Sequence, residues 1–126
     1  MQDLAIFSIS SQRSRWLAAR MAVISNNIAN ADTPGFMARD VVAFDSALEA
    51  AGTVAARTNR SHLAPSGSSP GAFSVAPREG GTQKHSGNTV GLENELVQLG
   101  DMRSQHALVS GVVGAFNRML LQSVRS

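Results

Sequence analysis

A chain of 126 residues with a net charge of +2 has room for one domain and too little positive charge to argue for nucleic acid. Cysteine is absent, which excludes disulfides, a thiolate nucleophile and cysteine metal sites. Tyrosine is also absent and only 5 phenylalanines and 1 tryptophan are present, so the chain by itself can bury a modest core. Completion of that burial by neighbouring subunits is therefore expected.

From about Asp3 to Ala31 the pattern is helical. Leu17, Met21, Ile24 and Ile28 step by four, three and four residues, which sets them on one seam. Arg13, Arg15 and Arg20 lie largely off it, and Ser8, Ser10 and Ser11 interrupt the pattern earlier.

The helix runs into Ser25-Asn26-Asn27-Ile28-Ala29-Asn30-Ala31-Asp32-Thr33-Pro34-Gly35-Phe36. Asn and Asp compete for backbone hydrogen bonds and so suit a helix end. Pro34 stops the helix and biases Thr33 toward extended conformations. Pro34-Gly35 fits the centre of a type II turn, where glycine tolerates positive φ. Asn27, Asn30 and Thr33 are expected to bond backbone groups around that turn or in an adjacent subunit.

Phe44 and Leu48, four apart beyond this turn, share one face of a helix. From roughly Gly52 to Ser86 the composition shifts to glycine, serine, threonine and alanine with three of the four prolines. Pro65-Ser66-Gly67-Ser68-Ser69-Pro70-Gly71 reads as a flexible linker, and Phe73-Ser74-Val75 as a short extended segment.

A second long helix is predicted from about Val90 to Val124, with Asn88 or Thr89 as N-cap and Glu93 and Glu95 complementing the helix dipole. Leu92, Leu96 and Leu99 form one stripe, which Met102, His106, Val109, Val113, Phe116 and Leu120 continue. The three-residue step from Leu99 to Met102 shifts the seam. Gly100, Gly111 and Gly114 suggest places where another helix backbone comes close. The predicted fold is thus mainly α: residues 1–50 and 88–126 give terminal helices that pair as a coiled coil. Residues 51–87 form a flexible middle loop with short β segments.

Chemistry is sparse. His62, His85 and His106 are widely separated, which disfavours a shared metal site, and no cofactor motif is present. Glu93 and Glu95 diverge on a helix and make no acid–base pair. Asn59-Arg60-Ser61 matches a glycosylation triplet of a kind common by chance. No run approaches the roughly 18 apolar residues of a membrane span. The N-terminus lacks the basic region, apolar core and cleavage site of a secretory signal. A helix followed by Thr-Pro-Gly also imitates part of a helix-turn-helix, so a small helical DNA-binding protein is the alternative. It lacks a basic second helix at the proper distance. A membrane-surface helix is disfavoured by the missing lysine-rich face. No catalysis is expected.

The Asn-rich segment resembles the N-terminal signature of the bacterial flagellar axial proteins, Asn-Asn-x-Ala-Asn-x-x-Thr-Pro-Gly-Tyr. Asn26, Asn27, Ala29, Asn30, Thr33, Pro34 and Gly35 match, and Phe36 stands in place of tyrosine. Asn88-Thr89-Val90-Gly91-Leu92-Glu93-Asn94-Glu95 is similar to the same proteins' Asn-x-Val-x-Leu-Glu-x-Glu motif. Together with residues 38–48, these motifs resemble the flagellar basal-body rod protein family, nearest to its proximal rod members. Gly91 and His106 depart from an acid and a tyrosine usual there.

The resemblance implies a structural rod subunit that transmits torque from the MS ring towards the hook. The partners it implies are further copies, other rod subunits, the MS ring, the adaptor FliE and the type III export apparatus. It further implies export to a periplasmic rod without signal cleavage, and it marks Phe44 and Leu48 either as an export-gate docking motif or as a packing pair. Leu17, Met21, Ile24 and Ile28 are expected to pack against Leu96, Leu99, Val109, Val113, Phe116 and Leu120.

Overall fold

The computed structural model describes residues 2–52 and 73–125. Two long helices, α1 (Gln2–Ala29) and α3 (Leu92–Arg125), pack antiparallel along one another. A short strand β1 (Arg39–Val41) and a helix α2 (Phe44–Gly52) follow α1, and β2 (Val75–Pro77) precedes α3. β1 and β2 pair antiparallel, with Arg39 opposite Pro77 and Val41 opposite Val75.

The mainly helical fold with paired terminal helices and a small β element agrees with the sequence reading. The strand of the middle segment lies two residues beyond the extended stretch expected at Phe73, because Ser74 already ends the ladder by accepting from the Val42 amide. From residue 73 onward the expected loop packs against the exit of α1. The Pro65–Gly71 linker, His62 and the Asn59 triplet lie outside the described residues.

Why the elements form is local. α1 ends where Asn30 and Asp32 precede Pro34, and its last turn tightens through the Ala31 amide to the Ile28 carbonyl. Thr33 to Phe36 then close a turn, with the Phe36 amide 3.3 Å from the Thr33 carbonyl and Gly35 at φ 71°. A side chain at that φ is strained, so glycine is required.

The main core gathers Trp16, Leu17 and Ile24 of α1, Val41 of β1 and Met102 of α3. Met21, Ile28, Leu99, Val109 and Phe44 pack around it. A second cluster of Ala31, Ala38 and Val90, with Phe36 against it, sits under the turn. Further along the helix pair Phe7 meets Phe116 edge-on at 5.4 Å, and Val113 is half-buried.

The seam of α3 differs from the expected one. Leu96 is 52% exposed and Leu120 36%, whereas Glu95 is 1% exposed. The buried and half-buried line therefore runs Glu95, Leu99, Met102, His106, Val109, Val113, Phe116, in unbroken four- and three-residue steps. The anticipated shift at Leu99 is absent, because the first seam position holds a charge that an apolar search passes over. A Cβ at Gly100, Gly111 or Gly114 would meet nothing within 4 Å, so none of the described helices comes close to them.

The side of α3 turned away from the seam exposes Val97, Leu108, Val112 and Met119, and Leu121 and Val124 are exposed off that stripe near the end of the helix. Contrary to the sequence expectation, the stretch Leu92–Val124 is long and apolar enough, by length and composition, to cross a membrane. Its hydropathy comes from small and aliphatic residues scattered around the helix, and not from one continuous apolar run.

Trp16 anchors the start of α2 onto α1. Its Nε1–H donates to the Val42 carbonyl at 2.8 Å, and its ring meets Phe44 edge-on at 6.0 Å. The Arg13 guanidinium lies over both rings, 4.7 and 5.0 Å from their centroids. Trp16→Phe removes the hydrogen bond and leaves a partly buried carbonyl without it, so a loss of about 1–3 kcal/mol is expected. Urea unfolding followed by circular dichroism checks this; an unchanged midpoint would mean the bond contributes nothing.

Candidate functional site: the polar clasp at the end of the first helix

The amide-rich segment and the start of α3 meet in one place. Asn27 is 0% exposed, three residues after Ile24 and beside Ile28, the residue that the apolar periodicity of α1 picks out. Its Nδ2 donates to the Arg39 carbonyl at 2.8 Å and to Glu95 Oε2 at 3.1 Å, and its Oδ1 accepts from the Arg39 amide at 3.0 Å. Arg39 faces Pro77 at a position between the ladder bonds of Ala38 and Val42, so its amide and carbonyl point to the outer edge of β1, where Asn27 meets both. One side chain thus caps a strand edge and holds a carboxylate.

Glu95 also accepts from Arg78 Nη1, and Arg78 continues to Gln98 Oε1 at 3.3 Å and Asp40 Oδ2 at 3.5 Å. Asp40 in turn receives both Nε and Nη2 of Arg20, at 2.9 and 2.8 Å. The charges alternate: Arg20, Asp40, Arg78, Glu95. A buried carboxylate is tolerated only with such partners. Among the described residues no buried side-chain nitrogen or oxygen lacks a hydrogen bond.

Asn88 is the counterpart in the second cluster, 1% exposed. Its Nδ2 donates to the carbonyls of Asn30 and Thr33 at 2.9 and 2.7 Å, and its Oδ1 accepts from the Val90 amide at 2.7 Å. Lys84 Nζ reaches the Ala31 carbonyl at 3.3 Å, adding positive charge at the helix's negative end. Thr89 Oγ1 accepts from the Ala38 amide at 2.8 Å. Asn88 and Thr89 are therefore not caps of α3, as the sequence suggests; they satisfy the open carbonyls and amides at the exit of α1. Gly87, at φ 79°, holds a left-handed backbone that favours glycine, and it lies against Gly35, whose Cα would stand 3.4 Å from a Cβ there.

Of the three residues expected to bond backbone around the turn, Asn27 does so through Arg39. Asn30 reaches back to the Asn26 carbonyl within the helix, at 2.8 Å. Thr33 Oγ1 donates to the Asn30 side chain at 3.2 Å and not to backbone. Phe36 packs in the second cluster, beside the turn of Pro34 and Gly35, while Asn26 and Ala29 are exposed. The carboxylate of Glu95, read from sequence as a dipole partner, and Arg78 are the members of the clasp that the sequence reading missed. The signal for Glu95 was its place on the four-three seam.

His85 is exposed, and His106 Nε2 lies 3.1 Å from Ser14 Oγ across the helix pair. Among the described residues no three His, Cys, Asp or Glu gather as metal ligands. A polar clasp that joins the two ends of a chain, below a long helix with an apolar outer face, defines a structural, assembly-forming class of protein.

Comparison with known proteins gives the family. Residues 17–36 match the family described as "Flagella basal body rod protein", a span that runs from Leu17 through Phe36. The flagellar basal body rod protein FlgB of Agrobacterium fabrum is 36% identical over 132 residues, covering 99% of this chain and 96% of that one. FlgB of Aeromonas hydrophila is 50% identical over 56 residues, 41% of this chain and 42% of that one. The chain belongs to the FlgB family of flagellar basal body rod proteins, whose members are structural subunits and not enzymes. Its place is the basal body rod.

Proposed function

We propose that this chain builds the proximal end of the rod and carries torque from the MS ring towards the hook. The observation that supports the reading is the apolar outer stripe of α3, on which Val97 is 64% and Leu108 67% exposed. Such a stripe on a subunit built around two long helices asks for neighbours. Head-to-tail repetition of such a contact generates a helical rod.

The partners in this reading are further copies, other rod subunits, the MS ring and the adaptor FliE. The chain reaches the periplasmic rod through the type III export apparatus, unfolded and without a cleaved signal. The seam from Leu17 to Ile28 and from Leu99 to Phe116 holds the subunit together, and the segments 1–50, 51–87 and 88–126 act as its three parts. Electron micrographs of basal bodies from a deletion strain test the assignment. Rings without a rod are expected, and intact rods would overturn it.

Phe44 and Leu48 dock the unfolded chain on the export gate. In the folded chain Phe44 sits against Trp16 and Leu48 is half-buried on α2, so the pair is free only before folding. A Phe44→Ala, Leu48→Ala double variant is expected to accumulate in the cytoplasm. Normal secretion with no rod would leave the pair a packing role alone, as fractionation of cells and medium would read.

A further inference from the structure

The two sides of the α1–α3 pair differ in relief. Arg13 marks one of them: its Nη2 reaches Gln105 across the pair at 2.8 Å, and its guanidinium lies over the rings of Trp16 and Phe44. This is therefore the side on which the start of α2 is laid. Ile9 stands four residues and Ile6 seven before Arg13, and Val112 stands seven and Met119 fourteen after Gln105, so all four share that side. They are 43–58% exposed. Ile9, Trp16 and Val23 recur every seven residues, and the last two belong to the packed core, so the ridge continues a face that the chain already uses lower down.

The opposite side, at the same height, is hollow. An open groove of about 530 Å³ runs there between the helices, with Phe7, Val109 and Val113 as its apolar lining. Ser11 and Gly114 also border it, two residues on from Ile9 and Val112 and hence about 200° round each helix from the ridge. Ser10, Ser14 and Ser110 complete the walls, and none of these side chains is long enough to fill the space. A Cβ on Gly114 would meet nothing within 4 Å. Residues 5–12 and 107–117 carry no charged side chain, and Arg15 alone brings a charge to the groove.

The geometry points to a heterologous contact between copies of this chain: the ridge of Ile6, Ile9, Val112 and Met119 on one copy fills the groove over Phe7 and Val113 on the next. Large side chains entering the hollow gain the dispersion contacts that an unfilled space lacks, and no like charges oppose one another across it. A ridge laid on a second ridge would leave both grooves empty. Each copy carries both halves on opposite sides, so the contact repeats sideways and does not end at a pair. The inference rests on the reading of the chain as a repeating rod subunit, and it names the faces by which neighbouring copies meet.

The absence of native cysteine lets disulfide crosslinking of the purified full chain read this contact. Ile9→Cys marks the ridge and Ser110→Cys the groove. In an equal mixture of the two variants, chance collision gives as much mixed dimer as the two like dimers together. The ratio of mixed to like dimers is expected to exceed that chance ratio severalfold. Chance proportions, an excess of either like dimer, or no product at any protein concentration would overturn the inference. Gly114→Leu in the Ser110→Cys chain fills the groove and is expected to return the ratio to chance with helical content retained. The same change at Gly100, outside the groove, is expected to leave the ratio high. An unchanged ratio with Gly114→Leu would also overturn the inference. Should Gly114→Leu lose its helical signal, Ser10→Leu fills the same groove from α1 and is read in the same way. The rod reading fails separately: intact rods in a deletion strain would remove it and leave the crosslink standing, whereas chance crosslinks beside rodless basal bodies would remove only the contact.

Discussion

Asn27→Ala is expected to destabilise the chain by about 3 kcal/mol, the cost of removing three bonds of which one serves a buried carboxylate. For a domain of this size that lowers the thermal midpoint by about 10 °C or more. Asn27→Asp sharpens the comparison because the shape is kept. Both Nδ2 hydrogens become lone pairs facing the Arg39 carbonyl and Glu95, so repulsion replaces attraction and the loss is expected to be at least as large. Asn30→Leu is the contrast. The Asn30 side chain bonds a carbonyl already reached by its own backbone amide, near solvent, and the change is expected to stay within about 0.5 kcal/mol. Thermal unfolding followed by far-ultraviolet circular dichroism separates the three; equal midpoints for Asn27→Ala and Asn30→Leu would refute the clasp.

Ile24→Asp and Leu108→Asp should both abolish swimming, for different reasons. Ile24 is 0% exposed in the main core, and a carboxylate there has no partner, so a loss above about 4 kcal/mol is expected and the purified chain should lose its fold. Leu108 is 67% exposed, and an aspartate there is expected to leave monomer stability within about 0.5 kcal/mol. If that face packs on neighbouring subunits, the variant keeps its fold as a monomer and fails to enter the rod. Val113→Asp, at a half-buried position on the seam, should combine both defects. Swimming halos in soft agar and dichroism of the purified variants decide together. Normal swimming by Leu108→Asp would remove the outer face from the assembly reading.

The helices were legible because their periodicity is local: Leu17, Ile24 and the line from Leu99 to Phe116 repeat along the chain with no reference to anything distant. The turn was legible for the same reason, since Pro34 and Gly35 state their backbone needs directly. What sequence could not supply was who bonds whom. Glu95 looks like any acid in a first helical turn until Asn27 and Arg78, far off along the chain, are brought to it. Asn88 looks like a cap of the helix it precedes, yet it closes the helix that ended long before. Leu96 looks like core because it is apolar, and it was displaced from the seam by the charge beside it.

The position of Trp16 has an optical consequence. With no tyrosine and no second tryptophan, the near-ultraviolet emission of the chain comes from this one indole. It is 5% exposed and touches α1, the carbonyl after β1 and the ring that opens α2. Its colour therefore reports whether those three pieces are docked, shifting to longer wavelength as water reaches the ring. Docking of these pieces as the chain folds can thus be timed without a label, and by a signal that further copies do not dilute with tyrosine light of their own.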